Sequence, residues 1–151
     1  MRGNTPSSQM AHMIQGLSSK VTEIMPDYML VPGDVNSTLA GGLVANREGI
    51  RLGHLEAGFR SFDRTMPEEV NRILVDQMAN DYFVTEESGI QNLQREGLNS
   101  KDGDTTTSLV GNTMIDSLVK YDPQIKSSNT MHLHGLDEGN YILMTMHRPA
   151  T

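Results

Sequence analysis

Between Gly53 and Arg72 the sequence reads GHLEAGFRSFDRTMPEEVNR, with three glutamates and three arginines in twenty residues. Carboxylates can move protons, and guanidiniums can hold a charged substrate in forked hydrogen bonds. Glu56 directly follows an apolar run and precedes Ala57 and Gly58, small residues that let a substrate approach the backbone. Placed there, it can act as a general acid or base if burial or a like-charged neighbour shifts its titration. The structural alternative is a salt bridge to Arg60 or Arg72. In GDVNST, Asp34 follows an apolar run and a glycine, where a helix N-terminus receives anions. It reads equally well as a turn residue, with Asn36 or Ser37 capping the helix. In TMPEEVNR the structural reading of Glu68 is the stronger one on spacing alone. Thr65 and Glu68 fit the capping box, Pro67 suits a first helical turn, and Glu69 and Arg72 lie one turn apart. His147 and Arg148 close the last apolar run and together suit a phosphate.

Other candidates are weaker. His54 alternates with apolar neighbours and reads as a satisfied core histidine. His132 and His134 have no third ligand at a useful spacing, so no metal site is expected there. No phosphate-binding glycine loop, nucleophile elbow or zinc-protease motif occurs.

These residues need a scaffold. The 151 residues suffice for about one domain, and the 36% hydrophobic share is near normal once the 14 glycines are counted. A net charge of −7 argues against a general nucleic-acid binder or a membrane-surface protein. No apolar run reaches the roughly 18 residues of a spanning helix, and the N-terminal stretch lacks the apolar core of a signal peptide. The absence of cysteine suits a reducing cytosol, and the eleven methionines read as core filler.

Periodicity predicts a helix over 8–24, a buried strand over 27–31 and a helix opening at Asn36 or Ser37. A second strand follows from Ile50 into the EAG loop, then a helix over 66–78 and a strand at Asp81. Next come a helix ended by Gly97, a strand over 107–111 and a helix over 112–121. Strands alternating with helices predict an α/β fold with a Rossmann-like parallel sheet, whose ligands bind beyond the carboxyl ends of the strands. Residues 122–140 read as a polar linker and 141–147 as a further strand. A strand buried on both faces does not finish a domain, so the sequence reads as cut there. It reads as cut at its start too, where a helix opens the chain.

In order and at compatible spacing, the chain carries GDVNST, GHLEAGFRS, MPEEVNR, NDYFVTEESGIQNLQREG, VGNTMIDSL and MHRPAT. Together these resemble the UDP-N-acetylglucosamine 2-epimerase family, from about Asp27 to the end. The resemblance implies a two-domain, glycosyltransferase-B-like fold with the nucleotide sugar between two Rossmann-like domains. Residues 1–121 would be the later part of the first domain, 122–140 the linker, and 141–151 the first strand of the second. The implied reaction interconverts UDP-N-acetylglucosamine and UDP-N-acetylmannosamine by elimination and re-addition of UDP, with no metal or redox cofactor. Carried over by motif, Asp34, Glu56 and Glu68 are the acid–base candidates, and Asp34, Glu56 and His147 contact substrate. The complete protein would be a cytoplasmic homodimer, with no nucleic acid or membrane as partner. Two departures stand out: Val35 where the family carries threonine, and HRPAT where many non-hydrolysing members carry HRREN. The EAGFRS and PEEVNR blocks favour the non-hydrolysing branch; the alternatives are a hydrolysing enzyme that releases N-acetylmannosamine and UDP, and a non-catalytic remnant.

Overall fold

The computed structural model describes residues 5–99 and 103–145. Its chain divides into two compact units, the first ending at Asn112 and the second beginning at Thr113.

The first unit alternates helices and strands. Helix α1 (Pro6–Ile24) precedes β1 (Tyr28–Pro32), α2 (Asn36–Glu48), β2 (Arg51–Leu55), α3 (Pro67–Met78), β3 (Asp81–Val84), α4 (Glu87–Arg95) and β4 (Thr106–Leu109). The four strands form one parallel sheet in sequential order, with Val31 opposite His54 and His54 opposite Tyr82. Sequential order with right-handed crossovers puts α2, α3 and α4 on one face of the sheet. There α2 packs on β1 and β2, α3 on β2, α4 on β3 and β4, and α1 against α2. The core between these layers gathers Leu39, Leu52, Val75, Tyr82, Val84, Leu93 and Leu98, with Met10, Met29 and Met78 filling its margins.

Glycine sets how closely α2 lies on the sheet, because a Cβ on Gly41 would come within 2.8 Å of Val31 Cγ1. Strand β1 departs from its reading as a buried strand: Val31 is covered but Leu30 is 51% exposed. A strand at the sheet edge, with helices on one face only, buries alternate residues rather than all of them.

Two expected helix caps also change. Helix α2 is capped by Val35, without a side-chain bond, and Asn36 is already its first residue. Helix α3 is capped by Met66, again without a side-chain bond, so the Thr65–Glu68 capping box does not form. Thr65 instead donates its backbone N–H (2.9 Å) and hydroxyl (2.7 Å) to Asp63 Oδ1, a nearer acceptor that closes a tight turn. By contrast, α1 has Thr5 Oγ1 accepting from the Ser8 N–H at 3.2 Å, with proline in its first turn.

The second unit contains α5 (Thr113–Lys126) and the short α6 (Thr130–Leu133). Helix α5 runs past its expected end at Tyr121 and carries Pro123 inside it. Residues 141–145 have no regular structure, and 146–151 lie outside the described residues. A parallel strand exists only through its neighbours, and no described strand pairs with 141–145. No helix among the described residues is long and apolar enough to cross a membrane.

Candidate functional site at the carboxyl edge of the sheet

The carboxyl ends of β1 and β2 are stitched together by short loops. The Gly33 N–H donates to the Leu55 carbonyl at 2.9 Å, and the Glu56 N–H donates to the Phe83 carbonyl at 3.0 Å. Gly33 takes a left-handed backbone (φ 67°), a natural conformation for glycine. Glu56 takes one too (φ 70°), which for a residue with a Cβ is an outlier.

This geometry aims the half-buried Glu56 side chain across Gly33. Its Oε2 lies 3.8 Å from where a Gly33 Cβ would sit, beside the turn that carries Asp34. The expected alternative, an ion pair with Arg60 or Arg72, does not form among the described residues. Arg60 goes to Asp76 and Glu96, and Arg72 to Asp34 and Glu69.

Asp34 is held by helix α3. Arg72 Nη2 donates to Asp34 Oδ2, and Asn71 Nδ2 donates to the Asp34 carbonyl (2.9 Å) and to Asn36 Oδ1 (3.1 Å). Arg72 is fixed in turn by Glu69, whose Oε2 accepts from Arg72 Nη1 at 2.8 Å. Glu69 is fully buried and also accepts the N–H groups of Ser61 (2.9 Å) and Phe62 (3.0 Å). Burial pushes its titration up, but the Ser61 and Phe62 donors and Arg72 outweigh burial and hold its carboxyl below the ordinary value. Glu68, one residue earlier, is half-buried, and its side chain makes no hydrogen bond among the described residues.

A second network lies directly beneath. His54 is fully buried, with Nδ1 2.6 Å from Asp76 Oδ1 and Nε2 2.8 Å from the Gly33 carbonyl, so it is the satisfied core histidine that its apolar neighbours predict. Asp76 Oδ2 accepts from the Gly58 N–H (3.1 Å) and Arg60 Nη1 (2.7 Å), while Arg60 forks onto Glu96 with two bonds of 2.7 Å. Burial opposes the Arg60 charge, but Glu96 and Asp76 outweigh it and push its titration further up.

One expectation about the loop changes. The space above Gly58 receives α4 rather than a substrate, because a Cβ there would lie 2.4 Å from the Gly89 carbonyl oxygen. An apolar groove of about 350 Å³, lined by Leu17, Met29, Leu30, Val31 and Val35 among others, flanks the Asp34 turn.

The structure thus brings Asp34 and Glu56 to adjoining turns, ties Asp34 to α3, and leaves Glu56 and Glu68 without cationic partners among the described residues. His147 lies outside those residues. Sequence reasoning paired Glu69 with Arg72 but missed the reach of Arg72 to Asp34, and it missed Asn71 and Asp76 as members of this assembly. The NR that closes PEEVNR was the available signal, since a positive and an amide side chain one turn beyond a carboxylate pair are placed to reach across a cleft. No described cluster of His, Asp and Glu is grouped to hold a metal ion.

A sequential parallel sheet with helices on one face, and carboxylates gathered beyond its strand ends, defines a Rossmann-like α/β domain, a class of fold whose ligands bind at that edge. The family model for UDP-N-acetylglucosamine 2-epimerase matches residues 1–151, and the chain belongs to that family. A UDP-N-acetylglucosamine 2-epimerase homolog from Methanococcus maripaludis is 40% identical over 142 residues, which is 93% of this chain and 38% of that protein. A UDP-2,3-diacetamido-2,3-dideoxy-D-glucuronate 2-epimerase from Pseudomonas aeruginosa is 34% identical over 98% of this chain and 40% of its own length. The crystal structure of Methanocaldococcus jannaschii UDP-GlcNAc 2-epimerase in complex with UDP-GlcNAc and UDP superposes with a TM-score of 0.77 at 35% identity. It covers 86% of this chain and 35% of that one. These solved epimerases have a glycosyltransferase-B-like fold, and the present chain spans only about two-fifths of the length of its curated relatives.

Proposed function

We propose that this chain is the sugar-facing part of a non-hydrolysing UDP-N-acetylglucosamine 2-epimerase. The observation that carries the reading is Glu56: a half-buried carboxylate on a left-handed backbone, aimed over Gly33 at the Asp34 turn and free of any cation among the described residues. Strained backbone concentrates where function fixes a side chain.

In the proposed reaction a carboxylate removes the C2 proton while the C1–O bond to UDP breaks, leaving UDP and a 2-acetamidoglucal. A second side chain, present as the protonated carboxylic acid, then delivers its proton to C2 from the opposite face, and the UDP oxygen re-forms the bond at C1. Asp34, Glu56 and Glu68 are the proposed acid and base groups, and His147 the proposed contact to the diphosphate. The Arg72–Glu69 pair supports this by fixing Asp34. The reading extends to a complete enzyme that is cytoplasmic and homodimeric and that supplies a sugar nucleotide to polysaccharide synthesis. Residues 1–121 would form the later part of its first domain, with the second domain starting at 141.

The test grafts this chain in place of the matching segment of the Methanocaldococcus relative. Proton NMR with UDP-N-acetylglucosamine in D2O then follows the C2 proton. Loss of the C2 signal with a second UDP-sugar is expected, and Glu56→Gln should stop it in a folded graft. A folded graft that binds UDP but never turns over, or one indifferent to Glu56→Gln, overturns the proposal. Release of free N-acetylmannosamine moves it to the hydrolysing branch.

A further inference from the structure

We propose that His54 is a positioning residue that donates a hydrogen bond from each ring nitrogen and thereby ties the Gly33–Asp34 turn to helix α3. Its two partners leave little choice. The Gly33 carbonyl, 2.8 Å from Nε2, can only accept, so Nε2 carries a proton. Asp76 Oδ1, 2.6 Å from Nδ1, belongs to a carboxylate whose other oxygen already accepts from the Gly58 N–H and from the Arg60 guanidinium. With its other oxygen taken by two donors, this carboxylate meets the ring as an acceptor, so Nδ1 carries a proton too. The ring is then an imidazolium inside the domain.

Such a charge survives burial only with compensation. Two carboxylates supply it, Asp76 on α3 and Glu96 at the end of α4, balancing His54 on β2 and Arg60 in the loop after β2. The remaining polar neighbour, Tyr82 on β3, donates its hydroxyl to the Asp76 carbonyl at 3.0 Å and holds that residue from below.

The consequence lies at the sheet edge. Gly33 is gripped through both of its backbone polar groups, its N–H by the Leu55 carbonyl and its carbonyl by His54. Leu55 and His54 are also the two residues that lead into Glu56. One histidine therefore sets the offset between the two turns that carry Asp34 and Glu56. A ring that lost either proton would face an acceptor with a lone pair at under 3 Å, and one of the two ties would open. The chemical meaning of that offset rests on the acid–base reading proposed above; the hydrogen bonding does not.

The test uses two readouts on separate footing. In the 15N-labelled 151-residue chain at about pH 7, near the ordinary histidine range, long-range 15N–1H spectra report both ring nitrogens of each histidine. His54 is assigned by through-bond correlation of its ring to its sequentially assigned backbone in the parent chain. Both His54 nitrogens are expected at protonated shifts. A nitrogen of His54 with an unprotonated shift overturns the inference, and this readout needs no variant to fold.

The second readout is the graft described above, where His54→Ala should lower kcat by about 100-fold, the scale of a misplaced catalytic group. KM should change much less, and His54→Gln, which keeps one donor toward Gly33, should recover part of kcat. Equal kcat in His54→Ala and the parent graft overturns the positioning role. So does a loss confined to KM. The ring shifts are read without any UDP-sugar, so a graft with no turnover would count against the epimerase reading and leave the His54 geometry tested on its own.

Discussion

Replacing Gly58 by alanine should destabilise the first unit by roughly 2–5 kcal/mol, and the figure can be assembled from the structure. The residue sits at φ 82°, where a side chain costs about 1–2 kcal/mol. The new Cβ would also lie 2.4 Å from the Gly89 carbonyl oxygen, 2.8 Å from its carbon and 2.9 Å from its Cα. All three are backbone atoms, so no rotamer change relieves them, and overpacking of this kind adds roughly 1–3 kcal/mol. Nor can the Gly58 peptide swing away freely. Its N–H is held by Asp76, and its carbonyl accepts from Asn92 Nδ2 at 2.9 Å. Urea unfolding of the 151-residue chain, followed by circular dichroism, reads the change as a midpoint lower by about 1–2.5 M, given a slope of roughly 2 kcal/mol per M. Gly49 is the internal control, because it shares the left-handed backbone (φ 68°) but has nothing within 4 Å of its missing Cβ. Gly49→Ala should therefore show the backbone part alone, about 1–2 kcal/mol. If the two variants lose the same stability, the close approach of α4 to the EAG loop is not what requires glycine at 58.

Two further outcomes follow from the same contacts. Glu69 has its folded titration held below the ordinary value of 4.5, so its stabilisation is complete above 4.5 and is lost as pH falls through the depressed value. Glu69→Gln should lower stability at neutral pH and flatten the acid limb of a stability–pH curve, and an unchanged acid limb would contradict the assignment. Thr107 carries a buried hydroxyl without a hydrogen-bond partner among the described residues, so Thr107→Val should raise stability by about 1 kcal/mol in thermal melting. A loss of similar size would mean that the hydroxyl is satisfied after all.

Much of the fold was legible because its signals are local. Apolar runs bounded by Pro32 and Gly33, or by Asn80 and Thr85, announce strands, and Gly97 in a left-handed conformation ends α4 where expected. What escaped depends on what lies opposite. The exposed face of β1 reflects which helices cover the sheet, and a run such as YMLVP does not state that. Pro123 argues for an early end to α5, yet it lies near the helix's last turn and the Ser127 N–H still bonds to the Pro123 carbonyl at 3.1 Å. At the site, the Glu69–Arg72 pair was readable from one-turn spacing. The reach of Arg72 to Asp34 spans 38 positions in sequence and becomes visible only once α3 is laid beside the first turn of α2. Thr65 was readable as a cap but found Asp63 first, a competition between two local bonds that the motif alone does not rank.

Glu56 separates stability from function most sharply. Its left-handed backbone costs about 1–2 kcal/mol for a residue with a Cβ, while glycine there would cost roughly 0.5–1 kcal/mol more in chain entropy. The side chain makes no hydrogen bond or ion pair among the described residues that truncation would remove, and the backbone bond to the Phe83 carbonyl survives it. Glu56→Gly should therefore stabilise the chain by about 0.5–1 kcal/mol, whereas Glu56→Gln, which keeps the Cβ, should leave stability unchanged. A residue whose removal helps the fold would have no structural reason to be glutamate, which is what the proposed acid–base role of its carboxylate calls for. If urea unfolding shows Glu56→Gly to be less stable than the parent, the side chain supports the fold. The strained backbone would then no longer argue for a proton-transfer role at this position.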